Sequence, residues 1–390
     1  MKARDNGYFI NGENQMKRTM VTNCRVPVCL SALLIFYGCG TVQQRGKSEE
    51  TLEETAQKSR QAEDTANDEG QEKHADVGIP EKNEHSDHIP AGRRPPAMPP
   101  GALELFKKAV DSEVREEYEQ AEVHYRDALR IASGHPLILK ALGRLIIDEK
   151  IQNAEAIQAV AYLGQAADYL GNDAEAWFLL GRALMETSKY AAAAEAFRTA
   201  TLIQPDNVEA LILLSRSLFN SRDLPGALSA AAGGLKADPH SALVHANFGM
   251  LLQADGKCAP AIMEIQQAVD IEPSNAGYRN MLGTVLLACS KTEKAAVEFD
   301  TAARIEPGKA SYRINQAFVL YKMKEFQKAR SILEQAIEKY PCNASAWNNL
   351  GLIHHAQGMD GRARKAFEKA IECNPDHVNA RENLKALSDK

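Results

Sequence analysis

Near the end of the chain His354 and His355 stand side by side, and Cys373 follows further along. A thiolate next to an imidazole is the core of a nucleophile–base pair, but it needs a third group to orient the ring and a donor site for the oxyanion. Nothing in "AWNNLGLIHHAQGMDGRARKAFEKAIECNP", residues 346–375, supplies these. The chain has no Gly-rich phosphate loop, no HExxH and no paired-carboxylate motif. Of seven cysteines, Cys258, Cys289, Cys342 and Cys373 lie in the main body with no CxxC pair and no zinc-like spacing. They read as buried or half-buried free thiols, the alternative being a disulfide in an oxidising compartment. His74, His85 and His88 fall in a polar stretch and read as solvated rather than metal-binding. Neither catalysis nor a metal or cofactor is expected. Net charge is −6 with no run of Lys or Arg, which argues against nucleic acid as a partner.

The elements that hold these residues repeat. Pro205, Pro239, Pro273, Pro307, Pro341 and Pro375 are 34 residues apart, and Ala193, Ala227, Ala261, Ala295, Ala329 and Ala363 keep the same interval. Gly181, Gly249, Gly283 and Gly351 fall in that frame, with Ser215 and Ala317 in the other two slots. A period of 34 signals stacked helix-turn-helix units. The composition agrees: aromatics are only 6%, and Ala and Leu abound. In each unit a small residue on the first helix (A) and Ala on the second (B) allow the backbones to approach, while Leu and Phe fill the remaining space. Pro ends helix B, and Pro225 and Pro260 suit the first turn of theirs. His354 takes a core slot in this frame, and Trp347 and Phe367 serve mainly in packing. Six units are clear, beginning at residues 174, 208, 242, 276, 310 and 344. Residues 136–173 read as another with a longer turn, residues 102–135 as a degenerate first unit, and 378–390 as a polar capping helix. Unit 208–241 reads as the weakest, because Ala231 replaces a large core residue and Gly233-Gly234 lowers helix propensity.

Trp347, Leu350, Gly351, Ala363, Phe367, Ala370 and Pro375 stand at the spacing of the tetratricopeptide repeat, and Trp177, Leu180, Gly181, Ala193, Phe197, Ala200 and Pro205 match it as well. The chain therefore resembles that family over about residues 101–377. The resemblance implies an all-α fold, a right-handed α-solenoid whose A helices line a concave, protein-binding groove. Carried onto this sequence, one A-helix position gives Asn247, Asn315, Asn349 and Asn383, with Asn280 one place earlier. An amide offers both donor and acceptor, so such a row could clamp an extended peptide backbone; it resembles the Asn ladder of O-linked N-acetylglucosamine transferases. Nearby positions give Phe178, Arg182, Arg216 and Phe219 in the first clear units and Phe318, Tyr321 and His355 in the last. Aromatic rings there would anchor a partner. The basic clamp of chaperone-binding repeat domains is not evident.

Residues 1–38 have another character. Lys17, Arg18 and Arg25 precede a short apolar run from Val26 to Tyr37, and Gly38-Cys39 closes it. That is the plan of a signal peptide, and it resembles a bacterial lipobox with Cys39 as the lipidated residue. Phe36 and Tyr37 depart from the usual pattern. Met16 or Met20 is an alternative start. Gly40 follows the cysteine, which in the family implies an outer-membrane lipoprotein facing the periplasm; an uncleaved inner-membrane anchor is the alternative. Residues 39–100 are polar and poor in large apolar residues, so they read as a disordered tether, its last part stiffened by "RRPPAMPP".

These readings combine into a membrane-tethered, non-catalytic scaffold that binds proteins or peptides, with self-association left open. The plan resembles repeat-containing pilotin lipoproteins, which implies cell-envelope, pilus or secretion-type assembly. The alternative is the repeat arm of, or an adaptor for, a glycosyltransferase or peptidoglycan enzyme.

Overall fold

The computed structural model describes residues 89–149 and 153–388. The proposed signal segment, Cys39 and the chain up to residue 88 lie outside the described residues. Among the described residues there are 17 helices and no strands. They pair as A and B helices of eight units: α1 (Pro100–Val114) with α2 (Tyr118–Ile131), α3 (Pro136–Glu149) with α4 (Asn153–Leu170), α5 (Ala174–Glu186) with α6 (Tyr190–Ile203), and α7 (Val208–Asn220) with α8 (Leu224–Ala237). The second four are α9 (Ala242–Ala254) with α10 (Cys258–Ile271), α11 (Ala276–Ala288) with α12 (Thr292–Ile305), α13 (Ala310–Lys322) with α14 (Phe326–Lys339), and α15 (Ala344–Ala356) with α16 (Asp360–Cys373). The closing helix α17 (Val378–Ser388) packs on α16. Each helix lies against its sequence neighbours, and most A helices from the second unit on also touch the next A helix, α11 and α13 less than the rest. The result is the α-solenoid expected from the period.

Helix A starts where a side chain satisfies the first backbone N–H groups. Asp173, Asn207, Ser241, Asn275 and Asn343 accept from backbone N–H groups of the first turn, for example Ala346 N to Asn343 Oδ1 at 2.9 Å. Such a cap contributes about 1 kcal/mol. Lys309, at the head of α13, provides none. A second device pins the chain just ahead of the helix. Trp177 Nε1 donates to Gly171 O at 2.7 Å, Arg279 Nε to Pro273 O at 2.9 Å and Trp347 Nε1 to Pro341 O at 2.8 Å, and His245 Nε2 meets Pro239 O at 2.9 Å. Trp, Arg and His thus do one job at one repeat position, tying helix A to the turn that precedes it. Trp347 is therefore more than packing.

The turn from A to B carries its own signature. Ser188, Arg222, Gly256, Ser290, Lys324 and Gly358, all 34 apart, have φ between 59° and 77°. Lys189 N then donates to Leu184 O and Lys291 N to Leu286 O, the long-range bond of a Schellman-type helix end that needs a left-handed residue. Glycine adopts that conformation freely; the other four residues hold it against steric cost.

Packing between A and B follows size complementarity. A methyl group on Gly351 would stand 2.5 Å from Phe367, and one on Gly283 2.9 Å from Phe299, so the ring occupies the space a side chain would take. Where helix A carries Ser215, helix B carries Ala231; where it carries Ala317, helix B carries Leu333, and all four are buried. This pairing accounts for the small Ala231 in unit 208–241 and leaves Gly233-Gly234 as the ground for its expected weakness. Ala231 leaves no missing bulk, and α7 is buried continuously from Ala210 to Phe219. A methyl group on Gly234 would meet Val244 and Leu211 at ordinary contact distances, so packing does not require a glycine there.

The stretch 39–100 is corrected at its end. Residues 89–99 have no regular secondary structure but dock on the second unit. Arg93 N donates to Tyr169 O at 3.0 Å, Tyr169 Oη donates to Arg94 O at 3.3 Å, and the His135 ring meets Pro96 O at 3.0 Å. Proline-fixed backbone loses little further entropy on docking, which explains why a polar segment is held there.

Candidate functional site

The A helices carry every residue expected to line a groove, except that Asn383 sits on α17. The solenoid sorts them by depth. Phe178, Arg182, Tyr321 and His355 remain partly exposed. Phe178 lies edge-on to Phe197 with ring centres 5.8 Å apart, and Arg182 Nη1 donates to Asp148 Oδ1 at 2.9 Å across to the second unit. Tyr321 stacks between Phe318 and Phe326 at 6.2 and 6.0 Å, and His355 Nδ1 meets Asp360 Oδ1 at 2.6 Å. By contrast Arg216, Phe219, Asn247, Phe318, Asn349 and Asn383 are buried, and they are corrected as exposed groove positions. Each A helix is covered by its neighbours, so a position that faces outward in one isolated unit is enclosed by the next.

The asparagine row has a different task. Asn247 Nδ2 donates to Ser215 Oγ at 2.8 Å, Asn315 Nδ2 to Asn280 Oδ1 at 2.8 Å, and Asn383 Nδ2 to Asn348 Oδ1 at 3.0 Å. These bonds join consecutive A helices: unit four to five, six to seven, and eight to α17. Asn349 accepts from Asn348 at 3.4 Å. Three of these bonds hold neighbouring helices together, Asn247 Oδ1 is buried without a hydrogen-bond partner, and within the row only Asn280 and Asn315 stay partly exposed. One surface residue was passed over: Leu243, exposed on α9 at the repeat position of Glu175 and Glu209. The signal was an apolar side chain where the two preceding units carry Glu and the later ones Gly277, Ser311 and Ser345.

His354 and Cys373 do not meet as nucleophile and base. Burial, with Arg362 and Arg330 nearby, holds the His354 ring below the ordinary histidine range. Cys373 is bonded to Cys342, and Cys258 to Cys289. The expectation of free thiols is therefore corrected. Cys258 opens helix B of unit five, and Cys289 caps helix A of unit six. Those two ends share one edge of the solenoid, which brings the Cα atoms to 5.7 Å. Cys342 and Cys373 meet on the opposite edge at 5.1 Å, joining units seven and eight. Both pairs are 31 residues apart, a separation that becomes a bond only through the stacking of the units. Among the described residues no three His, Cys, Asp or Glu side chains gather as a metal ion would require. No helix among them is long and apolar enough to cross a membrane.

The tetratricopeptide repeat family matches residues 147–202, 181–242 and 315–378. No curated protein sequence matches the chain. Among solved structures, the Cut9–Hcn1 hetero-tetramer of the APC/C aligns with a TM-score of 0.50 and 18% identity over 73% of this chain and 55% of that one. This chain thus spans about half the length of that protein. A tetratricopeptide repeat protein from Parabacteroides merdae aligns at 0.49 and 15% identity, over 74% of this chain and 99% of its own. PilF of Pseudomonas aeruginosa aligns at 0.46 and 20%, over 56% and 100%. Identities of this size speak to the fold alone.

Proposed function

We propose that this chain, built of tetratricopeptide repeats, is a non-catalytic scaffold that gathers protein partners on its A-helix face and is held to a membrane of the cell envelope by a lipid on Cys39. The carrying observation is the row of stacked A helices, with partly exposed Phe178, Leu243, Tyr321 and His355 spread along it. Aromatic and apolar anchors set among polar side chains suit a protein surface that docks another chain. Three amides of the row are tied to neighbouring A helices, so the anchors of this reading are the exposed aromatic and apolar side chains.

Two disulfides support the exported half of the reading, since such bonds persist in oxidising compartments and are rare in the cytosol. Together with the apolar run ending at Gly38-Cys39, they favour a periplasm-facing protein of the outer membrane. Work in envelope, pilus or secretion-type assembly is the role that fits this placement.

One experiment tests both halves. Cells expressing the wild type, Cys39→Ser and a Phe178→Ala/Leu243→Ala/Tyr321→Ala/His355→Ala variant are labelled with a radioactive fatty acid, and proteins co-purifying from envelope extract are identified. Label on the wild type and its absence from Cys39→Ser are expected, with specific partners lost from the quadruple variant. Equal labelling of Cys39→Ser would sink the anchor, and an unchanged partner set in the folded quadruple variant would sink the surface.

A further inference from the structure

Units five and six are joined by Cys258–Cys289, and units seven and eight by Cys342–Cys373. Between these stapled pairs lies the junction of units six and seven, which has no covalent tie. Four other features single it out. At the A-helix position that carries Leu180, Leu214, Phe248, Leu282 and Leu350 in the other clear units, α13 carries Gln316. Lys309 gives α13 no side-chain cap. The contiguous apolar core that starts at Ala102 runs to Phe299 and takes only Val319 from α13, and beyond it the packing falls into smaller clusters, the first beginning at Ile314. Between α12, α13 and α14 lies an open cleft of about 840 Å³, walled by Ala296, Val297, Leu320, Met323 and Ile332.

We propose that the array bends at this junction as two blocks, units one to six and units seven and eight, with the disulfides stiffening the unit pairs on either side. What crosses the junction fits a pivot. Asn315 bonds Asn280 on the A side, and Gln316 Nε2 donates to Asp300 Oδ1 at 2.8 Å on the floor of the cleft. Tyr312 packs on Ala276, Ala302 and Ala303. α13 is held to α12 by packing through Tyr312 and to α11 by little more than the amide bond, while the cleft beside them is open, so rotation about the α12–α13 contact widens or shuts it. A buried leucine at position 316 would lock the joint through apolar contact; the glutamine substitutes one hydrogen bond that water can replace. Bending changes the angle between the A-helix surface bearing Phe178 and that bearing Tyr321 and His355. Interfaces of this kind behave as hinges when a few weak contacts separate two well-packed bodies.

The test is a distance measurement on the full chain by double electron–electron resonance, with spin labels on unnatural residues so that no cysteine is used. One pair, at Met263 and Lys365, spans three repeats across the junction. The control pair, at Ala192 and Lys294, spans three repeats without it. The cross-junction distribution is expected to be at least twice as wide as the control. The Ala296→Ile/Gln316→Leu variant, which fills the cleft, is expected to narrow it to the control width, and Cys258→Ser/Cys289→Ser to widen the control pair. Gln316→Leu alone repeats the measurement if the double variant does not fold. Equal widths in the wild type, or a width that filling leaves unchanged, overturns the hinge.

Discussion

His245 shows how one side chain can serve two acceptors only when charged. Its Nδ1 meets Glu264 Oε2 at 2.7 Å, and its Nε2 meets the Pro239 carbonyl at 2.9 Å. Both ring nitrogens must carry hydrogen to satisfy both partners, so the imidazolium is the matched form. The hydrogen bond to Glu264 raises the pKa above the ordinary histidine value, against desolvation, with help from the Pro239 carbonyl and from the charges of Glu264 and Asp238. A raised folded-state pKa contributes stability that is complete below the unfolded value of about 6.5 and fades as pH rises through the folded value. Wild type should therefore exceed His245→Gln in stability by about 1 kcal/mol at pH 5.5, the scale of a screened charge-assisted bond. The gap should shrink by pH 8.5. Urea midpoints of both proteins across that range check it, and a pH-independent gap would refute it. The pairing of Gly351 with Phe367 belongs to the same scale and was legible, since an invariant interval of small residues opposite Phe announces close helices. The shared task of Trp177, His245, Arg279 and Trp347 was not: three chemical classes at one position look like variation until the carbonyl they all meet is seen.

At the level of the element, the A-to-B turn holds a residue in the left-handed region in every clear unit, yet only Gly256 and Gly358 betray it in the sequence. Non-glycine residues pay on the order of 1–2 kcal/mol for that conformation, and glycine returns about 0.5–1 kcal/mol of it as lost chain entropy. Lys324→Gly is expected to stabilise the protein by about 0.5 kcal/mol, and Gly358→Ala to destabilise it by about 1 kcal/mol, read from chemical denaturation. Loss of stability in Lys324→Gly would mean that the lysine side chain compensates through contacts of its own. Helix number, order and approximate ends followed from the 34-residue frame because proline and the small-residue slots mark them directly. The depth of Arg216, Phe219 and Asn247 did not, because it depends on how far the neighbouring units close over each helix. A repeat read singly has an outer face; a repeat in a stack has much less of one.

For the whole molecule, α17 lies over the eighth unit, its Ala380, Leu384 and Leu387 covering Phe367, Leu352 and the end of α16. In a stack where stability is a sum of neighbour terms, the last apolar face must be closed by something polar on its far side. Deletion of residues 378–390 should expose that face, lower the melting temperature by several degrees and increase aggregation, seen by calorimetry and light scattering. An unchanged melting temperature would show that α16 closes the stack unaided. The two disulfides were hidden for a related reason. Spacing alone does not say which edges of a solenoid meet, and only the stacking brings residues 31 apart to bonding distance.

The docking of residues 89–99 bears on how load enters the protein. Arg93, Arg94 and Pro96 fasten the chain to Tyr169 and His135 of the second unit before it reaches α1. A pull on the chain ahead of Ile89 therefore meets those fastenings first, several hydrogen bonds strained together, and reaches the first helix only after they yield. Under such a pull the strap would act as strain relief, much as a cable clamp spares the connector behind it, and would keep tension off the first helix until its bonds give way.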